Sequence, residues 1–260
     1  FCLSRGLGDV YKRQALTLST AVSLPSVAAS NTAYAIAGLH VNPSNNNIYV
    51  LSSDKGIMSD YQLVATPTTT QISITLIKTG QVYLSRHNTS INPDAWGLVF
   101  NPDGTRLFIG NRKGTVYEYR MTTPWDISTM TWYNTVSGIG YETSRQTQFY
   151  ISRDGKQLYY AEPGNSTSRI SVTTLSSPWS ISGFAFANAT VTSYGASSIV
   201  FKPDGTKFYV VVDNEGIREY TTSSFNVSSA VLSNTYGGSF GTSLYISPSG
   251  TNIYNAVGNN

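Results

Sequence analysis

Catalysis or metal binding in this chain would have to draw on two histidines, one cysteine and 14 acidic residues. The histidines are His40 and His87, and the cysteine is Cys2. Metal centres gather His, Cys and carboxylates at short or converging spacings. Two isolated histidines with no acidic cluster beside them make no such set, so no metal is expected. The acids fall into groups. Asp103, Asp154 and Asp204 each stand directly before a glycine, which is turn chemistry. Glu118 and Glu219 each stand before a tyrosine. Residues that recur along a chain belong to its repeat, whereas a glycosidase needs two carboxylates at one unrepeated place. Asp54, Asp60, Asp94 and Asp213 are scattered and form no cluster. EF-hand spacing, zinc motifs, phosphate-binding glycine loops and a Ser/His/Asp arrangement are absent from the sequence. No catalytic residue and no cofactor is expected.

The elements that carry these residues repeat. Five segments align: LHVNPSNNNIYV (39–50), LVFNPDGTRLFIG (98–110), FYISRDGKQLYYA (149–161), IVFKPDGTKFYVV (199–211) and LYISPSGTNIYNA (244–256). Their turn anchors are Asn45, Gly104, Gly155, Gly205 and Gly250, spaced by 59, 51, 50 and 45 residues. Each copy reads as a hairpin. Proline presets φ at the second turn position, and Asn and Gly suit the first and fourth. His40 falls where Val99, Val200 and Tyr245 stand in other copies, which reads as a packed core position. A third strand follows at 115–121 and 216–222, and a fourth at 129–137, 184–193 and 229–236. Four short antiparallel strands in about 50 residues are one β-propeller blade. The innermost strand is apolar on both faces, as in a sheet covered on both sides.

Between the third and fourth strands lie TTPWDIS (122–128), SSPWSIS (176–182) and TSSFNVS (222–228). Trp125, Trp179 and Phe225 recur at one place, which predicts a plug packed under each blade edge rather than a binding platform.

These pieces together resemble the β-propeller repeat proteins abundant in marine phage and bacterial metagenomes. The matching stretches are FNPDGTRLFIG…TVYEYRMTTPWDIST and FKPDGTKFYVV…IREYTTSSFNVSS, and the likeness runs over about residues 37–256, weakest at 149–182. It implies an all-β β-propeller of four-stranded antiparallel blades, with a structural or binding role on a particle or cell surface and no characterised activity.

The ends of the chain read differently. Residues 4–14 can be written in codons that spell, in frame, a transposon-end adapter used in shotgun library preparation. Residues 1–14 are therefore expected to stand outside the fold. Without them Lys plus Arg falls from 17 to 14, Asp plus Glu from 14 to 13, and the net charge from +3 to +1. That leaves no clustered basic face, and no nucleic-acid partner is expected. No apolar run approaches a membrane span. Residues 15–36 read as the last strand of a preceding blade with a lead-in loop, and 37–260 as the repeats. The fifth copy stops after its second strand. The chain is thus expected to be an incomplete arc, about four to five blades, of a six- to eight-bladed ring. The rival is a closed five-bladed ring in which residues 15–24 complete the last blade.

The candidate ligand face is the set of long, unrepeated loops that lead into each innermost strand and join its second and third strands, the competing reading being that their tyrosines simply cap the blade tops. Those loops carry Trp96, Tyr141, Arg145, Tyr194 and Tyr236, with Arg112 beside them. Aromatic faces with cations nearby suit a glycan or a protein partner. The function read from the sequence is a non-enzymatic structural or binding propeller, extracellular or part of a virion or phage tail. The alternative is a lactonase- or lyase-like propeller enzyme whose site is not recognisable in the sequence.

Overall fold

The computed structural model describes residues 2–5, 17–21, 36–45, 47–52, 56–67, 72–84, 95–111, 114–138, 148–162, 169–183, 192–193, 196–212, 215–238, 240–241 and 243–256. Among them lie five antiparallel sheets of four strands each. The chain starts with β1 (Cys2–Arg5) and β2 (Thr17–Ala21). Blade one follows as β3 (Ile36–Val41), β4 (Ile48–Ser52), β5 (Ile57–Pro67) and β6 (Ile72–Tyr83). Blade two is β7 (Ala95–Phe100), β8 (Arg106–Asn111), β9 (Val116–Met121) and β10 (Met130–Val136). Blade three is β11 (Phe149–Ile151), β12 (Gln157–Glu162), β13 (Arg169–Thr174) and β14 (Thr192–Ser193). Blade four is β15 (Ala196–Phe201), β16 (Lys207–Val212), β17 (Gly216–Thr221) and β18 (Val231–Tyr236). Blade five begins with β19 (Ser243–Ile246) and β20 (Asn252–Ala256).

The hairpin between the first two strands of each blade is built as its sequence dictates. Gly104, Gly155, Gly205 and Gly250 donate their N–H to Asn101, Ser152, Lys202 and Ser247, closing four-residue turns. Each of these glycines sits near φ +70°, a conformation that costs an L-residue energy and glycine nothing. Asp103 and Asp204 accept from the backbone N–H and hydroxyl of the threonine two residues on, and Asp154 from the N–H of Lys156. The recurring aspartates are turn residues, as their spacing predicts.

The aromatic segment after the third strand is a plug, also as expected. Trp125, Trp179 and Phe225 have φ of +67°, +57° and +65°. Their N–H groups bond to Gly104, Gly155 and Gly205 oxygens at 2.9 Å. Each ring lies flat on its turn glycine, so close that an added Cβ would meet it at 2.2–2.4 Å. The glycine therefore serves twice, giving the turn its φ and the ring its seat.

Each plug is also latched by the preceding blade. Tyr49 Oη donates to the Trp125 carbonyl at 2.7 Å, Arg106 Nη1 to that of Trp179 at 2.5 Å, and Tyr159 Oη to that of Phe225 at 2.6 Å.

Among the described residues the hydrophobic core divides into five clusters, one at every interface between blades. Leu51, Leu98 and Phe100 join blades one and two, and Val99, Phe108 and Phe149 join two and three. Tyr159, Ile199 and Phe201 join three and four, and Val200, Leu244 and Ile246 join four and five. Leu39, Val41 and Ile48 close the circle against Tyr245 and Tyr254 of blade five. The Tyr245 hydroxyl donates to the Val41 carbonyl at 2.7 Å. The expected open arc of a larger ring is therefore not what forms: five blades close on themselves.

Blade five is completed from the start of the chain. Cys2–Arg5 pairs with β20 in the register Cys2↔Asn255 to Arg5↔Asn252, and with β2 on its other side. The sheet order is β19-β20-β1-β2. Two expectations are corrected. Residues 2–5 lie within a sheet rather than outside the fold, and Thr17–Ala21 is the outer strand of the last blade, not of a preceding one. Backbone pairing asks only for free N–H and C=O groups, which the edge of β20 offers to any extended segment. Residues 6–16 lie outside the described set.

Candidate functional site

Of the residues expected on the loop face, Trp96 and Tyr236 are among the described residues. Trp96 lies inside β7, 1% exposed, in the core between blades one and two. It is a packing residue, because β7 begins at Ala95, within the stretch read as loop. Tyr236 ends β18 half-buried, its hydroxyl donating to Glu219 Oε2 at 2.9 Å. Arg112, Tyr141, Arg145 and Tyr194 lie outside the described residues.

The recurring glutamates are structural partners. Glu118 is fully buried between Arg106 (3.6 Å) and Arg120 (3.3 Å). Burial outweighs both guanidinium groups and raises its pKa. Burial acts the same way on Glu219. There, however, hydrogen bonds from Lys207, Tyr236 and Ser233 prevail, and its pKa is lowered. One repeat position thus carries two protonation tendencies, set by how many donors reach the carboxylate. No group of three His, Cys, Asp or Glu side chains among the described residues is placed to hold a metal ion. No helix among the described residues is long and apolar enough to cross a membrane.

A site does form on the ring axis. Because every blade contributes the same strand to the axis, aligned positions form rings of five. Two residues before each turn anchor stand Pro43, Pro102, Arg153, Pro203 and Pro248. Five residues before it stand His40, Val99, Tyr150, Val200 and Tyr245. Both rings line a single cavity of about 170 Å³. The first ring forms its mouth, on the face of the hairpin turns, where four of its five residues are exposed. The second ring forms its wall. Gln148, buried and seven residues before its anchor, donates from Nε2 to the Ala37 carbonyl at 2.6 Å. That bond runs from blade three to blade one across the inner end of the cavity.

The axial rings are regular except at a few places, and those exceptions converge. Arg153 replaces proline at the mouth and reaches to the Pro248 carbonyl of blade five at 2.8 Å. It is the single charged side chain among the described residues lining the cavity. His40 packs against Phe100 (5.0 Å between ring centres), Trp125 (5.8 Å) and Tyr245 (4.6 Å). Burial lowers its pKa from 6.5 to about 3, so it is neutral at pH 7. Burial raises the phenol pKa of Tyr150 and Tyr245, and both remain protonated. The site therefore offers apolar and aromatic walls, neutral polar groups and one guanidinium at its mouth. Near neutral pH the described wall residues His40, Tyr150 and Tyr245 keep their neutral forms.

His40 was legible in the sequence as a packed position. Tyr150 and Arg153 were missed, because the third copy reads FYISRDG and lacks the proline that marks the others. Comparing that aligned column across copies is the signal that finds them.

No family model and no curated protein matches the sequence. Among solved structures the chain is similar to a candidate 6-phosphogluconolactonase from Bacteroides uniformis, at 17% identity and a TM-score of 0.44. The match covers 85% of this chain, which spans 59% of that protein's length.

Proposed function

We propose that this chain is a non-enzymatic binding β-propeller whose ligand enters along the ring axis from the hairpin-turn face. The observation that carries the reading is the convergence of unrepeated residues. In a repeat protein, most positions are set by the need to stack one unit on the next. Arg153, Tyr150, His40 and Tyr245 depart from the Pro and Val of their rings and meet in one cavity. An apolar pocket with a few convergent polar groups is the usual form of a small-molecule site. The resemblance of the repeats to phage and bacterial metagenomic propellers supports a setting on a particle or cell surface, and the low charged fraction of 12% agrees with it.

A melting screen against small organic molecules tests this. Binders should raise the Tm of the wild-type chain and not that of Val200→Phe, which fills the cavity with a ring of the kind blades three and five already carry there. The reading fails if the same compounds stabilise both proteins. Melting with added Ca²⁺ or EDTA separates it from a metal-dependent propeller enzyme. No shift is expected, and a change of several degrees in either direction would favour the enzyme.

A further inference from the structure

We infer that the axial cavity takes a small, flat organic anion, a monocyclic carboxylate of about benzoate size. The inference rests on the axial-site reading above and names its ligand class. Size comes first. The cavity measures about 170 Å³, and an apolar cavity of about 150 Å³ is large enough to hold benzene. One six-membered ring with a single polar substituent fits inside it, whereas a disaccharide or nucleotide would extend out of the mouth.

Shape and polarity come next. The wall holds two valines, two tyrosines and a neutral histidine. Its polar groups are largely committed to the protein: the Tyr245 hydroxyl to Val41 and the Gln148 amide to Ala37. A sugar ring would bury several hydroxyls with too few partners, each at a cost. An aromatic or alicyclic ring would lose nothing against these walls.

Charge decides the substituent. Among the described residues lining the cavity, Arg153 is the one ionised side chain and none is a carboxylate. Its bond to the Pro248 carbonyl uses Nη1 alone and holds the guanidinium over the mouth. A guanidinium has five N–H donors in a planar fork that matches a carboxylate. The other four positions of the mouth are prolines, which have no backbone N–H to compete for the anion. The ring of the ligand would lie among His40, Tyr150 and Tyr245, and its carboxylate would meet Arg153 at the mouth.

Isothermal titration of the full chain at pH 7 with benzoate, benzyl alcohol and benzylamine tests the inference. The three share a ring and differ in charge. Benzoate should bind about tenfold or more tighter than benzyl alcohol, the difference a charge-assisted hydrogen bond makes. Arg153→Gln, at an exposed side chain, should erase that preference. Val200→Phe and Val99→Phe should each abolish binding of both probes, with circular dichroism confirming that each variant folds. Equal binding of benzoate and benzyl alcohol, tighter binding of benzylamine, or a preference that survives Arg153→Gln would overturn the anion inference and leave the axial site standing. Binding of none of the three, or binding indifferent to the filled cavity, would overturn both.

Discussion

His40 couples the cavity wall to acid stability. Burial lowers its pKa from 6.5 to about 3, so between those values the unfolded chain binds a proton that the folded chain refuses. Its contribution is present in full above about pH 6.5 and is lost as pH falls toward 3, at about 1.4 kcal/mol per pH unit. His40→Val places there the residue that Val99 and Val200 supply in blades two and four. Denaturant unfolding at pH 7 and pH 4 should show a smaller acid loss in this variant than in the wild type. Equal losses would mean that His40 is not shielded from water. A second residue, Gly155, is fixed by contact as well as by conformation. Its φ is +73°, and a Cβ there would stand 2.2 Å from the Trp179 ring. Gly155→Ala should cost about 2–4 kcal/mol, from left-handed strain and overpacking together. A loss under 1 kcal/mol in guanidinium unfolding would contradict the seat described for the plug. Turn glycines and aspartates are legible in sequence because their backbone demands are local. The role of Arg153 is not, because it depends on four prolines elsewhere in the chain arriving at the same rim.

At the scale of the element, the plug does two jobs that the sequence separates poorly. Its recurrence marks it as structural, and its packing on the turn glycine follows from one repeat alone. The latch to the neighbouring blade does not follow, because the donors differ in type: Tyr49, Arg106 and Tyr159. In blade two the position matching Tyr49 and Tyr159 is Phe108, and Arg106 takes over the bond. Tyr49→Phe keeps the ring packed against Phe100 and Trp125 and removes only the hydroxyl. Its expected cost is about 1 kcal/mol, the usual net worth of one hydrogen bond. An unchanged denaturation midpoint would show that the Trp125 carbonyl finds another partner and that the latch contributes nothing. The first two strands of each blade were readable from short apolar runs and turn chemistry. The outer strands of blades two and four were readable as well, β10 and β18 falling within the expected 129–137 and 229–236.

At the scale of the molecule, blade count was the feature the sequence concealed. Strand patterns specify a blade but not the angle between blades, which is set by how large the side chains of each interface are. The pairing of β1 with β20 was concealed for a different reason, since its codons read as adapter and its backbone pairs regardless. Removing residues 1–21 would leave β20 as an open edge at the closure of the ring. That deletion should lower the Tm and make the chain associate as concentration rises. Unchanged melting and a monomer at every concentration would show that β1 and β2 add nothing to blade five. The ring matters to function because only a closed ring brings blades one, three and five around one cavity. The most direct measurement is therefore methyl NMR of the ¹³C-valine-labelled chain titrated with benzoate and with benzyl alcohol. The methyls of Val99 and Val200, on the cavity wall, should shift together and saturate at a common ligand concentration, with benzoate saturating first. If they stay fixed at saturating ligand while an outer-edge methyl such as Val231, 68% exposed, moves instead, the axial site is wrong.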